Sequence, residues 1–364
     1  MQAKSGISKI TAMIIIYMIA VVAVGASYFL TSQNTIILNG AGATFPEPLI
    51  KKWAFEYNEQ NTSVVINYQG IGSGGGIEQI KKKLVDFACT DAPVKDEEMK
   101  PGELVHIPET IGAVVVAYNI PGFNGTLKLT GKIIAEIYLG IIIKWNDPRI
   151  VALNPELSTV NKDIFVAHRS DGSGTTYIFT DYLSAVSQEW ADKVGIGKSV
   201  SWPVGVGAQG NPGVAGLVRE NPYSIGYIEL AYAKIANIPY AWIKNEFSGE
   251  FIEPTLESVS KAAEGFLEEM REDVRVSIVN SPDPEAYPIA SFTYILLYKE
   301  QNVYGVRTNF EKANALLNFV WWAVHKGQEY SEALLYPRLP PEVIVICEEL
   351  LRSITYNGQP IITS

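Results

Sequence analysis

Three short stretches limit what this chain can become more than any other feature. GAGATFP (40–46), GIGSGGG (70–76) and SDGSGTT (170–176) each follow a strand-like run and open a helix-like one. A helix start presents unsatisfied backbone N–H groups and the positive end of the macrodipole. Glycine lets another molecule approach the main chain closely, and Thr44, Ser73, Ser173 and Thr175 add hydroxyl donors. Together these features make an anion site. One such junction alone reads more simply as helix capping by Ser or Thr. Three in one chain favour the anion reading.

The junctions belong to a dense alternation of strands and helices. TIILNG (35–40), SVVINYQG (63–70), VDFACT (85–90), IGAVVVAYNIPG (111–122), DIFVAH (163–168), SIGYIEL (224–230) and SFTYILLYK (291–299) read as strands. Apolar stripes at helical spacing lie between them: Ile50, Trp53, Ala54 and Tyr57, then Ile77, Ile80 and Leu84, then Ile178, Tyr182 and Val186. KIIAEIYLG is a further helix, and two more are expected near 310–326 and 341–354. Alternation at this density predicts an α/β fold with parallel or mixed sheets. The apolar strands near 111–122 and 291–299 bracket a middle block, so the chain leaves one domain and later returns to it. The expectation is two lobes with a cleft between them. Residues 35–117 with 289–364 form lobe I, residues 118–288 form lobe II, and 1–34 stand outside both.

Charge narrows the partner. A net charge of -10 and a pI near 5.0 argue against nucleic acid or an anionic membrane surface. An anionic ligand must then be held by local hydrogen bonds rather than long-range attraction. Lys4 and Lys9 precede Ile10 to Leu30, a segment without a charge. Its length suits a bilayer span of about 20 apolar residues, and the positive-inside rule sends the rest of the chain outside the cytoplasm. An uncleaved anchor over residues 10–30 is favoured, with cleavage near Val24-Gly25-Ala26 as its rival. With no cysteine near the segment, lipid attachment is excluded. Cys89 and Cys347 are expected to be buried free thiols, with a disulfide in an oxidising compartment as the alternative, and His106, His168 and His325 form no metal pattern with them. Asn61-Thr62-Ser63 and Asn124-Gly125-Thr126 match a glycosylation acceptor pattern that is often a chance match.

Two enzymatic or cofactor readings compete. GIGSGG matches G-x-G-x-x-G, and Asp91 follows at the distance of a dinucleotide fingerprint. Export and the two additional junctions weigh against it. A nucleophilic serine is the second, but neither Ser73 nor Ser173 sits in G-x-S-x-G.

GAGATFPEP, NYQGIGSGGGIEQI, VDFACTDAP, IYLGIIIKW, HRSDGSGTTYIFT and GYIELAYA, in this order and spacing, resemble the extracytoplasmic phosphate-binding proteins of phosphate ABC transporters. The resemblance runs from about Ile37 to the tail. It implies a type II periplasmic-binding-protein fold, two mixed α/β domains joined by a hinge, closing over one phosphate. It also implies a non-enzymatic role without cofactor or metal, delivering phosphate to the permease subunits of an importer. The phosphate contacts it implies are Thr44, Phe45, Ser73, Asp91, Arg169, Ser173, Gly174 and Thr175, with Asp171 holding Arg169 in place. Phe45 and Gly174 would act through their backbone N–H groups. Thr90, Gly74 and His168 depart from the familiar pattern without touching an implied contact.

Plainer readings stand beside these. Asp91 could cap the turn before Pro93. Asp96, Glu97 and Glu98 read as a solvated face, and Trp321 and Trp322 as helix core. The loop VGAQGNPGVAG (206–216) is assigned no contact. Another tetrahedral oxyanion, a sensor role or a secreted phosphatase are the alternatives, the last lacking any metal-ligand cluster.

Overall fold

The structure is a computed structural model that describes residues 35–100 and 103–362. The segment expected to anchor the chain or be cleaved lies outside them. Strand β1 (Ile36–Gly42) leads to helix α1 (Glu47–Gln60), and β2 (Val64–Gly70) leads to α2 (Ser73–Lys81). Pro46 and Pro48 suit the first turn of α1, where an N–H has no intrahelical partner. Leu49, Ile50, Trp53 and Tyr57 form its buried stripe. Ile77 and Ile80 do the same for α2, but Leu84 does not, being 54% exposed. That helix ends at Lys81, and Lys83 takes a left-handed turn with φ 57°, so the stripe stops before Leu84.

After β3 (Phe87–Thr90) comes a long strand, β4 (Leu104–Asn119), buried along almost its whole length. It starts seven residues before the apolar run that announces it, because Leu104–Thr110 also pair in the sheet. Then follow α3 (Gly131–Tyr138), β5 (Phe165–Arg169), α4 (Gly174–Val186), β6 (Val206–Ala208), α5 (Gly210–Glu220), β7 (Ser224–Glu229) and α6 (Leu230–Ile235). Strand β8 (Ala290–Tyr298) and helices α7 (Phe310–Val324) and α8 (Pro341–Arg352) complete the principal elements.

Eight strands lie in the order β2-β1-β3-β8-β4-β7-β5-β6. The pairs β1 with β2 and β3, and β5 with β6 and β7, are parallel; β8 and β4 run antiparallel to their neighbours. This is the mixed α/β architecture the alternation predicts. Strand β4 changes partner midway. Up to Ala113 it pairs with β8, and from Val114 to Asn119 it pairs with β7. All three glycine-rich junctions sit at carboxyl ends of parallel strands, where open α/β sheets gather ligands. The register fixes their mutual positions, with Gly42 opposite both Gly70 and Cys89. The turns after β1, β2 and β3 are therefore neighbours. Both cysteines are buried and free, and among the described residues no helix is long and apolar enough to cross a membrane.

Candidate functional site

Thr44, Phe45, Ser73, Asp91, Arg169, Ser173, Gly174 and Thr175 are all buried. Hydrogen bonds join most of them into one cluster. Ser73 is the first residue of α2, and its Oγ accepts from the backbone N–H of Gly174 at 3.1 Å and of Asp91 at 3.3 Å. The neighbouring Gly74 N–H donates to Gly172 O at 2.8 Å. The starts of α2 and α4 thus face each other, two positive dipole ends aimed at one place.

Two glycines are required by that closeness. A Cβ on Gly174 would sit 2.4 Å from Asp91 Oδ2 and 2.5 Å from Ser73 Oγ. Gly72 has φ 84°, and a Cβ there would meet Asp171 Oδ2 at 2.3 Å. Any larger residue at either position would push the two helix starts apart.

Arg169 ends strand β5 with its side chain buried, and Asp171 grips it from two sides. Nε donates to Oδ1 at 2.7 Å and Nη2 to Oδ2 at 2.5 Å. Nη1 donates to Thr175 Oγ1 at 3.3 Å. A forked, charge-assisted pair of this kind fixes the guanidinium plane. Burial works to raise the Asp171 pKa, but the Arg169 hydrogen bonds and charge outweigh it and hold the carboxyl below its ordinary range. Asp171 also accepts from Gly210 N at 3.1 Å.

The capping explanation can now be divided among the junctions. Ser173 does cap α4, its Oγ accepting from Thr176 N at 3.0 Å. Thr44 and Ser73 cap nothing in their own helices. Asp91 does not cap its turn either; Thr90 does, with its Oγ1 accepting from Ala92 N at 3.1 Å. The Asp91 Oδ1 instead accepts from Thr293 Oγ1 at 3.0 Å. Burial pushes the Asp91 pKa up to about 7, against the Thr293 hydrogen bond, the Arg169 charge and the Ser73 hydroxyl.

The loop at 206–216, to which no contact is assigned from the sequence, enters the cluster through Asn211 at the start of α5. Asn211 is fully buried, and its Nδ2 donates to Thr44 Oγ1 at 3.0 Å and to Thr175 Oγ1 at 3.1 Å. Its backbone N–H also reaches Thr44 Oγ1, and its Oδ1 accepts from Glu229 N. One side chain thus ties the first junction to the third. Tyr232 and Tyr336 were also missed; their hydroxyls donate to the backbone carbonyls of Thr44 and Phe45 at 2.7 Å each. A polar residue in a glycine-rich loop (Asn211) and tyrosines inside helical or loop segments carry no positional signal of their own. A separate cavity of about 400 Å³, lined among others by Val94, His106, Met270 and Arg275, contains none of the cluster.

Two facing helix starts, one fixed guanidinium and one buried carboxyl are thus gathered in one cluster. A family model described as a PBP superfamily domain matches residues 31–324. The phosphate-binding protein PstS of Haemophilus influenzae is 43% identical over 325 residues, covering 87% of this chain and 95% of its own. That of Methanocaldococcus jannaschii is 40% identical over 338 residues, covering 86% and 85% respectively. An ABC-type phosphate transport receptor from Vibrio cholerae shares the fold, with a TM-score of 0.54 at 18% identity over 83% of this chain and 100% of that one. Fold and family model together define a protein of the PBP superfamily. Within that superfamily, the chain belongs to the family of the PstS phosphate-binding proteins.

Proposed function

We propose that this chain binds inorganic phosphate outside the cytoplasm and hands it to the permease of an ABC importer, without catalysing any reaction. The observation that carries the reading is a buried guanidinium, fixed by Asp171, and a buried carboxyl, Asp91, held together at the facing starts of α2 and α4. The guanidinium supplies positive charge, the N–H groups and hydroxyls disperse the anion's charge, and the Asp91 carboxylate accepts a hydrogen bond from a protonated ligand oxygen. Thr44, Phe45, Ser73, Asp91, Arg169, Ser173, Gly174 and Thr175 are the proposed contacts, with Asp171 as the partner of Arg169. Equilibrium dialysis with labelled phosphate, competed by phosphate and by sulfate, tests the binding. Failure of unlabelled phosphate to displace the label at equimolar concentration would sink the reading, as would turnover of a phosphate ester.

Asn211 extends the proposal. Of the three side-chain hydrogen bonds of Asn211, the two to Thr44 and Thr175 bear on the site, and losing them costs about 1–2 kcal/mol, which is about 5- to 30-fold in affinity. Asn211→Ala is therefore expected to weaken phosphate binding by that factor in a fluorescence or calorimetric titration, since Thr44 and Thr175 would lose their common donor. Unchanged affinity would remove Asn211 from the supporting set.

The division into lobe I (35–117 with 289–364) and lobe II (118–288) fits the change of partner along β4 at Ala113–Val114. Closure by hinge bending at Val115–Asn119 and Pro288–Phe292 follows from that division, because Ser73 and Asp91 stand on one side and Arg169 to Thr175 on the other. Small-angle scattering should report a smaller radius of gyration with saturating phosphate; identical profiles would refute hinge closure. Anchoring by residues 10–30 is the proposed attachment, and mass spectrometry of the amino terminus of the native protein distinguishes it from cleavage.

A further inference from the structure

Behind Asp91 stands a second buried acid. Glu109 lies on β4 with no exposed surface, and Thr293 on β8 stands between the two. Thr293 Oγ1 is 3.0 Å from Asp91 Oδ1 and 3.0 Å from Glu109 Oε1. The topology creates this bridge, because β8 pairs with β3 on one side and β4 on the other. A shift in register between Thr293 and Tyr294 interrupts the ladder at that point.

A hydroxyl has a single proton and donates to one acceptor at a time. If both acids were ionised, one would face a hydroxyl lone pair, and two like charges would share a dry interior. One proton on the pair removes both conflicts. Its location follows from the surroundings. Asp91 Oδ2 lies 2.4 Å from where a Cβ on Gly174 would sit, at the start of α4, and the Arg169 charge and the Ser73 hydroxyl both favour its ionised form. Glu109 has Thr293 on one oxygen and the Cys89 thiol at 3.7 Å on the other. The titratable groups around it are Cys89 from β3, Asp91 beyond β3 and Tyr68 from β2, none of them a cation. From the carboxyl-terminal side, Gln328 reaches only its backbone carbonyl.

We propose that Glu109 is a positioning residue for anion selectivity: its carboxylic acid donates to Thr293 Oγ1, which leaves the Thr293 hydroxyl to donate to Asp91 at 3.0 Å in preference to the Thr90 carbonyl at 3.4 Å. Asp91 then stays an acceptor, ready for the ligand's own proton. This rests on the phosphate reading above and adds to it a source of pH dependence. Burial pushes the Glu109 pKa up to about 8, with the Thr293 bond opposing and the Asp91 charge adding to it. Below that pH the acid holds its proton and the chain of donors points at Asp91. Above it, the Thr293 hydroxyl turns to the Glu109 carboxylate, Asp91 loses its donor, and a second negative charge stands behind the anion site.

Glu109→Gln tests this, because an amide N–H donates to Thr293 at every pH. Phosphate itself titrates near neutrality, but it does so equally for both proteins, so its own titration cancels in the ratio of their dissociation constants. One pH unit above a pKa corresponds to about a tenfold penalty for restoring the proton. The ratio of wild-type to E109Q dissociation constants is expected to rise about tenfold between pH 7 and pH 9. Thr293→Ser should retain the same pH-dependent rise against its own E109Q double variant, and Thr293→Val should reduce it to what the Glu109 charge alone exerts. The infrared difference between wild type and E109Q at pH 7 should contain the carbonyl band of a protonated carboxyl. A constant ratio with phosphate bound by both proteins overturns the role of Glu109 alone, as does absence of that band. A wild-type protein that binds no phosphate at any pH overturns the phosphate reading as well.

Discussion

Asp91→Asn is expected to admit sulfate to a site from which the native protein excludes it. A carboxylate facing an anion is unfavourable by Coulomb's law, and it is compensated only if the ligand donates a proton. Phosphate near neutral pH carries one or two protons, sulfate none, and an ionised carboxylate can only accept. Sulfate would therefore meet Asp91 with repulsion and an unpaired buried acceptor. A site built around a ligand hydrogen bond rejects an analogue that lacks it by roughly 10⁴-fold; that is the ceiling for a fully ionised Asp91, and the preference for phosphate should shrink as pH falls toward the Asp91 pKa. Asparagine offers an N–H in the same place, so the variant should bind sulfate and lose most of the gap. The pH dependence has the same origin. Since burial raises the Asp91 pKa to about 7, acidification below that value converts Asp91 from acceptor to donor. Native-protein affinity for sulfate should rise as pH falls from 7 to 5. Calorimetric titrations with both anions measure all of this; a variant that keeps the full preference, or sulfate affinity flat with pH, would exclude Asp91 as the discriminator.

Arg169→Ala is the second large effect. Removing a charged hydrogen-bond partner costs about 1.5–3 kcal/mol, or about 10- to 150-fold in affinity. The loss should reach or exceed the upper end of that range. The truncation leaves Asp171 without its guanidinium, and so places an uncompensated carboxylate beside an anion. Arg169→Lys should recover only part of the loss, because an ammonium cannot reproduce the fork on Asp171. Phosphate affinity near the native value in Arg169→Ala would remove the residue from the site.

How much of this was legible in the sequence depended on contiguity. The three junctions are single strand–turn–helix segments, so GATF, GSG and HRSDGSGT carried both their own structure and their chemistry. The parallel register that makes them neighbours, Gly42 beside Gly70 and Cys89, follows from the alternation alone only in outline. Residues that reach the cluster from elsewhere were not visible. Asn211 sat in a loop judged silent, and Glu229, which accepts from Ala231 N at the start of α6, read as the end of a strand. Thr293 and Glu109 left a faint signal, a hydroxyl and an acid within or beside long apolar runs, where burial of an unpartnered polar group is costly. Pairing across β8 could not be inferred from either strand by itself. Leu84 failed for a local reason, a helix that ends at Lys81, three residues short of it, and a left-handed turn at Lys83.

The most direct test is a crystal structure of the native protein with phosphate at neutral pH. The account predicts one phosphate between the starts of α2 and α4, within hydrogen-bond distance of Ser73, Gly174, Thr175 and Thr44. One of its oxygens should approach Asp91 Oδ2 closely enough to share a proton, and two others should approach Arg169. Phosphate bound elsewhere, or bound there with the Asp91 carboxyl turned away from it, would contradict the account.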